Sequence, residues 1–179
     1  RARIAELAHH PLSSIHGVLR VKALKLLKEP SSHHGRDHVS ALSWLVHLCT
    51  PEDIELFLAL LTHYHEMGDA PLYEEICTLI AHGTRVLWLT HEQELHDSMA
   101  WRALVHMLLI EGDPPSCLVT LLATLTTSST PGWYEDALLY GSQLHASSLE
   151  TQAEYLAALL RLRPARYGTL ANEFIARRD

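Results

Sequence analysis

The chain is short of cysteine, of clustered glycine and, through most of its length, of basic residues. Its 179 residues include only Cys49, Cys77 and Cys117. That odd number, with no CxxC pair, argues against a disulfide framework and for a reducing, intracellular setting in cytoplasm or nucleus. The eight glycines stand singly, so no GxGxxG or Walker A loop is present to cradle a phosphate. No GxSxG nucleophile elbow occurs either. No apolar run reaches the ~18 residues of a membrane span, and no signal peptide is visible. The first residue is Arg1, not Met, as in a fragment or a processed chain.

Basic residues are missing from the middle of the chain. From Asp37 to Glu154 there are 17 acidic residues and two basic ones, Arg85 and Arg102. Seven basic residues precede Asp37 and five follow Leu160. With a net charge of −7, a general nucleic-acid binder is not expected, because phosphate neutralisation needs clustered Lys and Arg. The sorting reads as a matter of partners and solubility, not of fold.

What is present is helical periodicity. Thr50 offers an N-cap, Pro51 suits the first helical position, and Glu52 and Asp53 complement the helix dipole. Ile54, Phe57, Leu58, Leu61 and Tyr64 then recur at three- and four-residue steps. Gly68 stops this helix and Pro71 opens the next. Thr90 with Gln93, and Ser147 with Glu150, read as capping boxes for helices reaching Ile110 and Leu162. Further helices are expected over 3–8, 12–28, 38–48, 116–125, 131–145 and 169–177, with 126–130 as a loop. The one strand-like run, Arg85–Leu89, has nothing to pair with and reads as helix or buried turn. The expectation is one all-α domain over 1–179, with about nine or ten helices and a mobile loop near 29–37. Short connections favour antiparallel neighbours.

Gly-Asp-Ala-Pro at 68–71 returns as Gly-Asp-Pro-Pro at 112–115, an offset of 44. At that offset Phe57 falls on Trp101, Leu60 on Leu104 and Leu61 on Val105. Periods of ~40–47 residues belong to paired-helix repeats of the HEAT and armadillo type. The stretch Tyr134 to Pro164 resembles part of a tetratricopeptide repeat, with AEYLAALLRLRP (Ala153 to Pro164) similar to its second helix and closing proline. The Trp-Leu-Gly-Tyr pattern of the first helix is not kept. The resemblance implies a peptide-binding groove. The expected architecture is stacked antiparallel helical hairpins, a solenoid of HEAT, armadillo or tetratricopeptide type, with an irregular helical bundle as the alternative.

Candidate chemistry is sparse. His65-Glu66-Met67-Gly68 is similar to the His-Asp-x-Gly pattern of HD phosphohydrolases, and His38 would then be that family's first histidine. Glu66 replaces the adjacent Asp; His96-Asp97 keeps the pair but lacks the Gly. A divergent HD-type metal-dependent hydrolase using His38, His65, His96 and Asp97 is the first alternative function. Against it, His63 and His65 read as a solvated helix edge. The doublets His9-His10 and His33-His34 read as surface, and His47 and His106 as partly buried core. No catalytic residue, cofactor or small-molecule substrate is expected.

The leading expectation is a protein–protein interaction module: a scaffold, adaptor or complex subunit, not an enzyme. The expected partner is another protein with a basic surface. Expected contact residues are Trp133, Tyr134 and Glu135 at a helix start, Glu74 and Glu75, and the basic amphipathic helix of Lys22, Lys25 and Lys28. Of Trp44, Trp88, Trp101 and Trp133 most are expected in the core, and one exposed beside acidic residues would mark a hot spot. Basic ends docking on an acidic middle would give self-association. Nucleic-acid or membrane-surface binding through the basic ends is the second alternative.

Overall fold

Thr50 and Asp53 show how local chemistry starts a helix here. Thr50 is extended, its backbone N–H donates to the Asp53 carboxylate at 2.8 Å, and Pro51 opens a single 3-10 turn, Pro51–Asp53. The computed structural model describes residues 11–29, 35–111, 116–123, 125 and 131–177. Among these the chain forms nine α-helices and no strand. They are α1 (Pro11–Lys28), α2 (Arg36–Leu45), α3 (Ile54–Met67), α4 (Ala70–Leu95), α5 (Met99–His106), α6 (Ser116–Ala123), α7 (Gly132–Leu144), α8 (Leu149–Leu162) and α9 (Pro164–Ala176). A five-residue π segment, Met107–Glu111, continues α5.

Helix α1 packs on α2, α3 on α4, α7 on α8, and α8 on α9. Contacts also join α2 to α4, α4 to α6 and α6 to α8, while α3 meets α5 and the π segment meets α7. The buried side chains form one cluster running from Ala23 to Tyr167. Phe57, Leu60 and Leu61 of α3 are buried, as are Trp101, Leu104 and Val105 of α5 at the 44-residue offset. The Gly-Asp-Pro-Pro copy at 112–115 lies outside the described residues. So do the expected helix over 3–8, the loop over 126–130, His9, His10, His33 and His34.

Several expected boundaries move. Arg85–Leu89 is helix, inside α4. Thr90 caps nothing: its hydroxyl donates to the Val86 carbonyl at 2.8 Å, and α4 runs on to Leu95 through a kink at His91 (φ −134°, ψ 27°). The chain breaks instead at Ser98, whose hydroxyl accepts the Trp101 N–H. At α8 the cap is Ser148, not Ser147, and it accepts from Thr151. Pro164 starts α9 at its first turn, where a missing N–H costs nothing, and Gly168 sits within that helix. In the segment 29–37, residues 35–37 form the turn and start of α2, and 30–34 are not among those described.

Two buried carboxylates tie the ends of the chain to its middle. Asp53 receives a forked pair of bonds from Arg20 of α1, at 2.6 and 3.0 Å. The same guanidinium donates to Thr50 Oγ1 at 3.0 Å and to the Leu48 carbonyl at 3.3 Å. The hydrogen bond to Asp53 raises the Arg20 pKa above its ordinary value. Glu135 of α7 accepts Arg166 Nη1 and the Tyr167 hydroxyl, each at 2.7 Å, with Arg163 Nε at 3.6 Å. Part of the charge sorting is therefore structural, contrary to the expectation from sequence.

Two buried tyrosines donate to backbone carbonyls of other elements. A π segment slips the hydrogen-bond ladder by one residue, so a carbonyl there loses its usual donor. The Tyr155 hydroxyl of α8 donates to the Leu109 carbonyl in that segment. Its ring stacks on His145 at 5.8 Å and lies against Gly141. A Cβ at 141 would intrude into that ring, so only glycine allows the approach. The Tyr134 hydroxyl donates to Leu122 at the end of α6, at 2.8 Å.

Replacing Arg20 by Ala strands the Asp53 carboxylate in a buried site. Urea unfolding of Arg20→Ala should show a loss of about 3 kcal/mol, of the size found when one partner of a buried pair is removed. Arg20→Lys should recover only part of it, because an ammonium cannot fork across a carboxylate.

Candidate functional site

The expected contact residues do not form one patch. Tyr134 and Glu135 point inward, Tyr134 to the Leu122 carbonyl and Glu135 to the arginines before and within α9. They are structural anchors, and this helix start is a packing surface. Trp133 is half-buried beneath the Arg102 guanidinium, 5.7 Å from its ring centre, and meets Tyr134 edge-on. Lys22, Lys25 and Lys28 are exposed on α1, beside exposed Ile15, Val18, Val21 and Leu26.

Glu74 and Glu75 do line a depression. It lies between α2 and α4, with Val39 and Ser43 on one side and Pro71, Glu74, Glu75, Thr78 and Leu79 on the other. Its volume is about 390 Å³. Asp69 starts α4 by accepting the Leu72 N–H at 3.2 Å, and Pro71 fixes the first turn. The next turn then presents both glutamates outward, while Ile76 and Cys77 turn into the core. Neither glutamate makes an ion pair among the described residues. The groove thus offers two free carboxylates on an apolar floor of Val39, Pro71 and Leu79.

Trp44, which is not among the expected contact residues, is the tryptophan that faces solvent. Trp88 and Trp101 are buried and stacked 5.6 Å apart, whereas Trp44 is 58% exposed. The signal was in the spacing. His38, Ala41, Leu42 and Leu45 form the buried stripe of α2, and Trp44 falls off it, next to groove residue Ser43.

The residues of the hydrolase alternative stand apart. His38 is buried with both nitrogens engaged: Nε2 meets the Glu29 carbonyl at 2.8 Å and Nδ1 the Tyr64 hydroxyl at 2.7 Å. A carbonyl only accepts, so Nε2 carries the proton, and in the neutral ring Nδ1 accepts from Tyr64. His65 is exposed and its ring packs on Tyr73, 5.4 Å away. His96 is exposed and, among the described residues, reaches its neighbour Asp97 at 3.1 Å. Among the described residues no three His, Cys, Asp or Glu side chains converge on a point. His47 and His106, expected in the core, are exposed.

Cys49 and Cys77 are buried free thiols. Burial pushes Cys49 from 9.0 up to about 12 and Cys77 up to about 11. A nucleophilic cysteine needs the opposite shift. No helix among the described residues is long and apolar enough to cross a membrane. No protein-family model matches the chain, and no curated protein or solved structure is detectably similar to it.

The raised thiol values carry a pH signature. Below about pH 9 both states keep the thiol proton; above it the unfolded chain releases protons that the folded one retains. Stability should therefore be complete at neutral pH and decline as pH climbs toward 11–12. Urea titrations at about pH 8 and about pH 10.5 check the sign. Mass spectrometry after iodoacetamide at about pH 8 should find Cys49 and Cys77 unmodified in the folded protein and alkylated in urea.

Proposed function

We propose that this protein is a recognition module that binds another protein through the α2–α4 groove. The observation that carries this reading is the pair of carboxylates, Glu74 and Glu75, unpaired among the described residues on an apolar floor, with exposed Trp44 next in sequence to groove residue Ser43. The complementary ligand is a basic, partly apolar protein segment, drawn in by charge and held by aromatic and aliphatic contact. The alternating contacts support a scaffold of stacked helix pairs. Even-numbered helices touch in the order α2, α4, α6, α8, and a second row of contacts runs through α3, α5 with its π segment, and α7. Helix-pair stacks of this kind present extended surfaces. Free buried thiols suit a reducing, intracellular setting.

Affinity purification with quantitative mass spectrometry tests the reading. The double variant Glu74→Lys/Glu75→Lys, and separately Trp44→Ala, should each deplete the same partner by at least about tenfold, the loss that a hot-spot contact of about 1.4 kcal/mol produces. Both changes are on the surface and should leave the helical circular dichroism unchanged. A partner set indifferent to all three substitutions overturns the assignment of the groove.

Self-association is a second reading, favoured by one observation. The outer face of α1 carries Lys22 and Lys25 among exposed Ile15, Val18, Val21 and Leu26, a pattern complementary to the groove of another copy. Light scattering should then show a mass that rises with concentration and returns to that of one chain in Lys22→Glu/Lys25→Glu. A single-chain mass throughout rejects it.

A further inference from the structure

Two histidines meet a turn beyond residues that line the α2–α4 groove. His47 lies four residues beyond groove residue Ser43, and His82 four residues beyond groove residue Thr78. Both side chains are exposed, and their ring centres stand 5.4 Å apart with the planes at 76°. Neither ring has a hydrogen-bond or ion-pair partner among the described residues, so both keep ring nitrogens open to a ligand.

The backbones beneath them are held firmly. Residue 83 lies against Val46 and Phe57, and a Cβ there would press on both at 3.2–3.3 Å. The Cys49 thiol donates to the Gly83 carbonyl at 3.5 Å and to Val46 at 3.3 Å. Each histidine is thus the chain neighbour of a residue in a buried contact between the turn after α2 and the middle of α4. The separation of the two Cα positions is set by that packing, and only the side-chain torsions remain free.

We propose that His47 and His82 form a cross-helix site for a divalent transition-metal ion of the zinc class. Two imidazoles on one tetrahedral ion, with nitrogen–metal bonds of about 2.0–2.1 Å, place their ring centres about 5 Å apart. The observed separation meets that requirement, and the angle between the planes is unrestricted. Imidazole is a favoured ligand for zinc, copper and nickel. No third ligand converges on the pair among the described residues. The protein therefore supplies two donors, and water or a donor from a bound segment completes the shell. The ion would add positive charge to one end of an otherwise acidic groove, so its occupancy would tune which segments the groove accepts.

Zinc binding by isothermal titration calorimetry tests the site, with thermal unfolding as a second readout. The wild-type chain should bind one Zn²⁺ in its tightest phase and unfold at a higher temperature with zinc, because a ligand of the native state stabilises it by mass action. His47→Ala and His82→Ala should each weaken that phase by more than the roughly tenfold cost of losing an outer-shell partner. Each should also abolish the thermal shift, and the double variant should do no worse than either single one. His63→Ala/His65→Ala, which removes two other exposed histidines, should leave both readouts unchanged. Equal zinc affinity and thermal shift in wild type, His47→Ala and His82→Ala would overturn the proposal. So would a shift lost only in His63→Ala/His65→Ala. Neither result depends on the protein partner of the groove.

Discussion

Two carboxylates buried in the acidic middle, Asp53 and Glu135, dictate where the ends of this chain must go. A carboxylate out of water costs several kcal/mol unless a cation and further donors meet it. Arg85 and Arg102 are the only basic residues in that middle, and neither is the partner. Arg20 crosses from α1 to Asp53, and Arg163 and Arg166 cross from the start of α9 to Glu135. Docking α1 and α9 is thus coupled to neutralising the helices between them. A terminal helix that slipped by one turn would bury its apolar stripe almost as well. It would not bring its guanidinium to the one carboxylate that needs it, so the ion pairs fix register where hydrophobic burial cannot.

The same logic governs the backbone. Short helices have many ends, and every C-terminal end leaves carbonyls without an α-helical donor. When helices pack on one another, some of those carbonyls are shut away from water. Tyr155 meets Leu109 in the π segment, and Tyr134 meets Leu122 at the end of α6. His38 meets Glu29 just past α1, and is itself met by Tyr64. Each donor comes from a different helix than its acceptor. These bonds therefore report tertiary contact, and each cross-helix bond is satisfied only when two particular helices are both in place. Tyrosine suits the task because it brings a large apolar ring and a single donor at its tip.

Helical periodicity made the all-α class and most elements readable, because an apolar stripe at three- and four-residue steps has one inexpensive solution. Thr50, Pro51 and Asp53 were legible as a start for the same reason: the cap is made by neighbours in sequence. The failures lie where the deciding contact is distant. Thr90 looks like a cap and instead bonds back into its own helix, since packing carries α4 on to Leu95. Tyr134 and Glu135 look like a surface at a helix start, and only the approach of α6 and α9 buries them. Spacing within α2 did place Trp44 off the buried stripe, so that part of the candidate surface was available from sequence. The meeting of His47 with His82 was not, for it depends on how the turn after α2 lies against Gly83.

Subtracting the structural charges changes what the acidic belt means. Asp53 and Glu135 are accounted for by arginines, and Asp69 by the start of α4. Among the acidic residues that remain, Glu74 and Glu75 stand side by side on the exposed face of a long helix, with Val39 on the facing wall and Pro71 and Leu79 beside them. Their neighbours Val39, Pro71 and Leu79 would lose water readily against an apolar ligand, whereas the carboxylates would not unless that ligand carried cations. A purely greasy segment is therefore disfavoured, and a purely basic one leaves the floor wet. On the proposed reading, a segment combining both characters is the one that would satisfy the groove.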